Sequence, residues 1–231
     1  MALMRSAVIG SLAHLPNVDI SLGGAESNLA IGLRRLGVPA AWISRVGDDP
    51  LGQRVVREIR AEGVEVHCGI DPQRPTGLMV KSRPSAATTR VDYYRAGSAA
   101  TALEPSHLPE ELIEQAEILH ISGITSLLSA SAHATVVTAA RRAAAAGVQV
   151  SLDVNYRSRL GSRERLAQLL GEILEHTDIL FGGPEELSLL APDAEESAPH
   201  TPPARPRLGG PPGGRQARSR RRRRPLGRPA P

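Results

Sequence analysis

Apolar residues fall at two different spacings along this chain, and the switches between them mark out its elements. Val18-Asp19-Ile20-Ser21-Leu22 alternates, which predicts a strand with one wet face. Over residues 26–36 the apolar positions Leu29, Ala30, Leu33 and Leu36 follow helical spacing, and Gly37 suits the residue just past a helix end. Residues 41–46 form a short buried-looking strand. Arg45-Val46-Gly47-Asp48-Asp49-Pro50-Leu51-Gly52 then reads as a strand end, a turn and a helix start, with Pro50 at an early helical position. Leu51, Val55 and Ile59 carry that helix to a stop at Gly63. Two further strands, 77–82 and 90–95, are joined by a polar loop and predict a hairpin rather than a crossover.

After Pro105 the rhythm changes. A strand at 118–122, a helix at 129–146, a strand at 148–154, a helix at 163–175 and a strand at 179–181 alternate up to a helix start at Pro184. Strand, helix, strand at these spacings predicts an α/β fold with a parallel sheet and right-handed crossovers. The early strands form a smaller sheet set apart from it. No internal repeat is present.

Composition changes this picture at one end. Residues 198–231 hold nine Pro, five Gly and ten Arg, no acid, and only Leu208 and Leu226 as sizeable apolar side chains. Such a segment cannot bury enough surface to offset its ordering entropy, which predicts disorder over 194–231 beyond a folded part at 1–193. The overall charge of +4 is therefore misleading, since residues 1–197 carry 18 basic against 24 acidic side chains, a net of −6. An acidic body gives no reason to expect nucleic acid as a partner. The Arg220–Arg224 run alone suggests a disordered arm for RNA, DNA or an acidic protein, but no aromatic residue accompanies it to stack bases. Cys68 stands alone, which excludes an internal disulfide and suits a cytoplasmic protein. No apolar run approaches the roughly 20 residues needed to span a bilayer, and the first residues lack the regions of a secretory signal.

The candidate chemistry begins at Gly23-Gly24-Ala25-Glu26-Ser27-Asn28. Two glycines before a polar cluster at a helix start let backbone approach a ligand closely and turn the first-turn groups towards it. Read alone, the glycine pair equally suits a tight turn. Tyr93-Tyr94 equally suits an edge strand, and Asp153 and Asn155 a turn after a strand. Together with Thr76-Gly77-Leu78-Met79-Val80, Tyr93 to Ala100, His120-Ile121-Ser122-Gly123-Ile124-Thr125 and Asp153-Val154-Asn155-Tyr156-Arg157, the loop resembles the ribokinase (PfkB-type) family of sugar kinases over residues 1–193. The likeness runs most to its 2-keto-3-deoxygluconate kinases; fructokinase, ribokinase or aminosugar kinase are the neighbouring alternatives.

That resemblance implies a three-layer α/β/α core with a mainly parallel sheet and a small β-sheet lid, built here from strands 18–22 and 77–95. It implies ATP and Mg2+ as cofactors, a sugar acid as substrate and a homodimer contact through the lid sheet. Substrate contacts would fall on Gly24, Ala25, Glu26, Ser27, Asn28, Tyr93, Tyr94, Arg95 and Arg157. Asn155, Tyr156 and Arg157 would lie near the nucleotide phosphates. The family's Asn-x-x-Glu magnesium motif is matched only by Glu186, with Gly183 where the Asn would be. The residues themselves agree with an anionic substrate, because a guanidinium offers a carboxylate two parallel bonds. Strand alternation predicts that Tyr93 and Arg95 share one face and Tyr94 takes the other.

One expected part is not in the sequence. Phosphoryl transfer needs a base for the acceptor hydroxyl and donors for the phosphate. In the family an Asp-x-x-Gly-Ala-Gly-Asp segment provides both, and no Asp or Glu follows Glu196 here. The glycines of the tail flank Pro211-Pro212, which lack N–H donors. The C-terminal part of the fold is therefore expected to be missing, with negligible turnover. Met1 to Arg5 resembles the part of these kinases just after their first core strand. A shifted reading frame near 194–198 and a late start would account for both ends, a hypothesis that an uninterrupted frame on resequencing would exclude.

Overall fold

A computed structural model describes residues 1–190. Strands β1 (Ala2–Arg5), β2 (Asp19–Leu22), β5 (Leu78–Ser82) and β6 (Arg90–Tyr94) make one sheet in the order β2-β1-β5-β6. In it β1 runs antiparallel to β2 and parallel to β5, and β5 and β6 form the expected antiparallel hairpin. The core strands are parallel. β3 (Ala41–Gly47) pairs β4 (Glu65–Asp71), and β7 (Ile118–Ser122), β8 (Gln149–Asp153) and β9 (Ile179–Phe181) lie in that order.

The helices begin where the chain supplies caps. Asp49 accepts a 2.7 Å bond from Gly52 N–H to open α2 (Pro50–Ala61). Ser129 accepts from Ala132 N–H at 3.0 Å before α5 (Ala130–Ala145), and Ser162 from Arg165 N–H at 3.2 Å before α6 (Arg163–Leu174). Each satisfies a donor the helix leaves orphaned. The remaining helices are α1 (Ala25–Arg35), α3 (Glu110–Glu114), α4 (Gly123–Ser126) and α7 (Pro184–Leu187).

Two apolar cores result. Trp42, Val46, Val55, Ile59 and Val64 close the β3–α2–β4 unit with Ala30 and Ile31 of α1. Val150, Leu152, Val154, Leu166, Leu170 and Ile173 pack the C-terminal sheet against α5 and α6. Gly52 has a steric reason. A Cβ there would strike the Gly47 carbonyl and stand 2.7 Å from Thr76 Oγ1, so only glycine lets α2 start against β3.

Two strands differ from the sequence expectation. Residues 65–71 are a full strand, visible in hindsight as the alternation of Val66, Cys68 and Ile70. Ile70 stays 52% exposed, so β4 is held by its pairing with β3 more than by burial. Residues 2–5 form the strand between β2 and β5, so the small sheet has four strands rather than three. Among the described residues β3, β4, β7 and β9 each pair on one side only. The expected disordered tail lies outside the described residues. No helix among them is long and apolar enough to cross a membrane.

Candidate functional site

Three structural units come close to one another: the β2–α1 turn, the end of β6, and the carboxyl ends of β7, β8 and β9. In a parallel α/β sheet the strand carboxyl ends are where ligands bind.

At the β2–α1 turn, Gly24 has φ 159° and a side chain there would stand 2.8 Å from Ser27 Oγ. A side chain at this position would have to displace the Ser27 hydroxyl. Ser27 is buried and its hydroxyl donates back to Gly24 O at 3.3 Å, while Ala25 is half-buried. Glu26 reaches across to the C-terminal half, where Thr125 Oγ1 donates to its Oε1 at 2.7 Å. Asn28 departs from the expectation. It is exposed and lies, with Ile31, Gly32 and Arg35 of the same helical stripe, along an open groove of about 560 Å³ between α1 and α2. Residues two apart on a helix point about 200° apart, so Glu26 and Asn28 leave α1 in different directions.

At the end of β6 the alternation is as expected. Tyr94 is 65% exposed, whereas Arg95 is 7% exposed, with its Cζ 4.4 Å from the Tyr93 ring centroid. Arg95 Nε is buried without a hydrogen-bond partner, and among the described residues no carboxylate lies within ion-pair distance of the guanidinium. Burial pushes the Arg95 pKa down; Tyr93 and Glu26 oppose this, and the positive charge of Arg157 adds to it. The side chain therefore sits in the joint field of Glu26 and Arg157.

The sheet end supplies the remaining groups. His120 is held through Nδ1, 3.0 Å from Ser151 Oγ on the neighbouring strand; burial lowers its pKa against the pull of Asp153 and Glu26. Burial, and then the charge of Glu186, push the Asp153 carboxyl up against the effect of His120 and Arg157. Asn155 is buried at φ 44°, a strained value outside glycine, and its Nδ2 donates to Ser122 Oγ at 3.1 Å. Arg157 is exposed, with Nη1 donating to the Tyr156 carbonyl. Tyr156 O–H donates to Gly161 O at 3.2 Å.

Glu186 is used structurally: its Oε1 accepts from Tyr156 N–H at 2.7 Å and its Oε2 from Gly183 N–H at 2.9 Å. The carboxylate clasps the β8–α6 loop to the start of α7, and each oxygen keeps a second lone pair. Among the described residues no group of three or more His, Cys, Asp or Glu forms a metal cage. A Mg2+ held chiefly by phosphates and water needs only one or two carboxylates. Asp153 and Glu186, close enough to repel, fit that requirement. Sequence reasoning gave no role to His120, Thr125 or Asp153, although all three stand in the motifs that carry the resemblance. It also missed Arg159, which donates to Val91 O at 2.8 Å and stands 3.7 Å from Asp92, tying this loop to β6.

An α/β domain that gathers a buried guanidinium, carboxylates and hydroxyls between its sheet end and a small second sheet is built to hold a polar small molecule. Residues 4–201 match the family described as pfkB family carbohydrate kinase, and the chain belongs to that family. A 2-dehydro-3-deoxygluconokinase of Bacillus subtilis (strain 168) is 34% identical over 193 residues, 82% of this chain and 60% of that protein. The solved 2-dehydro-3-deoxygluconokinase of Thermotoga maritima superposes with a TM-score of 0.78 at 26% identity, covering 85% of this chain and 60% of the other. A sugar kinase of Pyrococcus horikoshii, solved in complex with ATP, gives 0.74 at 25% identity, covering 83% and 63%. The chain thus spans about three fifths of the length of these relatives.

Proposed function

We propose that the described fold is the sugar-binding part of an ATP-dependent kinase for a sugar acid of the 2-keto-3-deoxygluconate type. One observation carries the reading: Arg95 is a buried cation that lacks an anion. An unpaired buried charge costs several kcal/mol, and a ligand carboxylate would offset that cost through charge-assisted bonds. Tyr93 fixes the guanidinium plane, and Arg157, exposed on the facing loop, supplies a second cation for the same anion. Glu26, held by Thr125, accepts hydrogen bonds from the sugar hydroxyls, with the Gly24 backbone and Ser27 shaping the turn beneath it.

ATP with Mg2+ supplies the phosphoryl group and neutralises its charge. The strained Asn155 and the Tyr156–Arg157 backbone, clasped by Glu186, shape the side of the crevice turned to the phosphates. Residues 1–193 form the kinase part of the chain and 194–231 a tail of different character. Within the 231 residues there is no Asp-x-x-Gly-Ala-Gly-Asp segment, so this polypeptide binds the sugar acid but transfers phosphate slowly. Losing a general base alone costs about a hundred- to ten-thousand-fold.

Calorimetry of the full chain with 2-keto-3-deoxygluconate and with fructose tests the substrate class, and a coupled ADP-release assay tests turnover. Saturable binding of the sugar acid, lost in Arg95→Met, is expected. Preference for the neutral hexose would refute the arginine argument, and ordinary turnover would refute the separation of binding from transfer.

A further inference from the structure

A cleft of about 180 Å³, of mixed polar and apolar lining, lies between the end of α4, the start of α5 and α6. Its wall carries Ser126, His133 and Arg165, with Leu127, Leu160 and Leu169 as the apolar part. Ser126 is 2% exposed and its Oγ has no hydrogen-bond partner. Neither ring nitrogen of His133 makes a hydrogen bond, although its side chain is only 12% exposed; Nε2 lies at ion-pair distance, 3.4 Å, from Glu172 Oε1. Buried polar groups are paired as a rule, and each exception asks for a missing partner.

The α5 N-terminus faces the same space through Ala130. Ser129 Oγ takes the Ala132 N–H, which leaves the N–H groups of Ala130 and Ser131 without an intrahelical acceptor. A sixteen-residue helix concentrates positive potential there. Arg165 adds a full charge at the mouth, held by its Nη1 bond to Gln168 Oε1 at 3.0 Å. Donors therefore dominate the cleft, and Glu172, with its side chain 63% exposed, is largely solvated outside it. The volume is below the roughly 300 Å³ at which pockets for drug-sized ligands begin, which excludes a nucleotide.

We propose that this cleft binds one small oxyanion, of phosphate or carboxylate size, held by Ser126 Oγ, the Ala130 N–H at the start of α5, His133 and Arg165. The site is separate from the Arg95 crevice and stands or falls independently of the sugar-kinase reading.

The test is calorimetric titration of the full chain with inorganic phosphate, sulfate and acetate, with the His133 ring resonances followed by NMR. Saturable binding of phosphate or sulfate with a concordant His133 shift is expected. Arg165→Met and Ser126→Ala should each weaken it by about tenfold, while Arg95→Met leaves it unchanged. Acetate matching phosphate would assign the natural ligand to the carboxylates and still support the site. Absence of saturable binding would overturn the proposal. So would binding that leaves His133 unshifted, or that is lost in Arg95→Met but kept in both cleft variants.

Discussion

Arg95 should work against the stability of the empty protein, and Arg95→Met measures by how much. The guanidinium is 7% exposed, stacks on Tyr93, and has neither a carboxylate within ion-pair distance among the described residues nor a partner for Nε. The effective penalty for such an ion is several kcal/mol. The cation–π contact at 4.4 Å returns about 1–2 kcal/mol when desolvated. Methionine fills similar volume without charge, so the substitution should stabilise the ligand-free fold by roughly 1–3 kcal/mol. For a domain of this size that raises Tm by about 2–4 °C per kcal/mol. Binding should move the other way. Losing one or two charged hydrogen bonds to a carboxylate, each worth about 1.5–3 kcal/mol, weakens the sugar acid tenfold to more than a hundredfold. Urea unfolding without ligand and calorimetry with 2-keto-3-deoxygluconate read both signs on the same samples. A variant less stable than its parent that still binds the sugar acid equally well would refute the reasoning.

Asp49 joins α2 to the segment before β5, since it accepts from Gly52 N–H and from Thr76 N–H, both at 2.7 Å. Asp49→Ala should cost about 1–3 kcal/mol in urea unfolding. Burial alone would raise this carboxyl, but the Thr76 and Gly52 bonds outweigh it and hold its pKa below the ordinary value. Its contribution is therefore present above about pH 4 and disappears as pH falls through the lowered native value; the stability gap to Asp49→Asn should close in acid. Gly52→Ala should destabilise by about 1–3 kcal/mol, because the new Cβ meets the Gly47 carbonyl and Thr76 Oγ1; an unchanged urea midpoint would contradict the close approach. Glu186→Gln puts an amide NH2 opposite either Tyr156 N–H or Gly183 N–H, so about 1–3 kcal/mol should be lost, with faster amide exchange at whichever donor is orphaned.

Much of the fold was legible because local signals agreed. Helical spacing in α2 coincides with Asp49 as cap and Pro50 behind it, and α5 and α6 start at Ser129 and Ser162. β4 was not legible because its alternation, read without a partner, is that of a half-wet loop; the parallel pairing from Ala41↔Glu65 to Gly47↔Asp71 makes it a strand. That Tyr93 and Arg95 turn to one face and Tyr94 to the other was legible from strand alternation. The division of Glu26 from Asn28 was not, because a loop motif read as a string hides the rotation per residue once helix α1 begins. Thr125 and Arg159 were invisible for another reason. Their partners, Glu26 and Val91, lie 99 and 68 residues away, and only the folded chain brings them together.

Those long-range ties matter because the candidate site is shared among sheets that do not pair with one another. Glu26 and Arg95 come from the β2-β1-β5-β6 sheet and its exits, while His120, Asp153 and Arg157 come from β7-β8-β9. Within a sheet, ladder hydrogen bonds fix relative positions; between these sheets few polar contacts do so. Thr125 to Glu26 holds the start of α1 over α4, and Arg159 to Val91 and Asp92 holds the first half of β6 against the β8–α6 loop. The first is half-buried and the second exposed, so water competes far more for the second. On the proposed function the two cations for the sugar acid, Arg95 and Arg157, lie on opposite sides of that weaker tie, so an anion bridging them would add a bond between the small sheet and the loop where the protein's own contact is weakest.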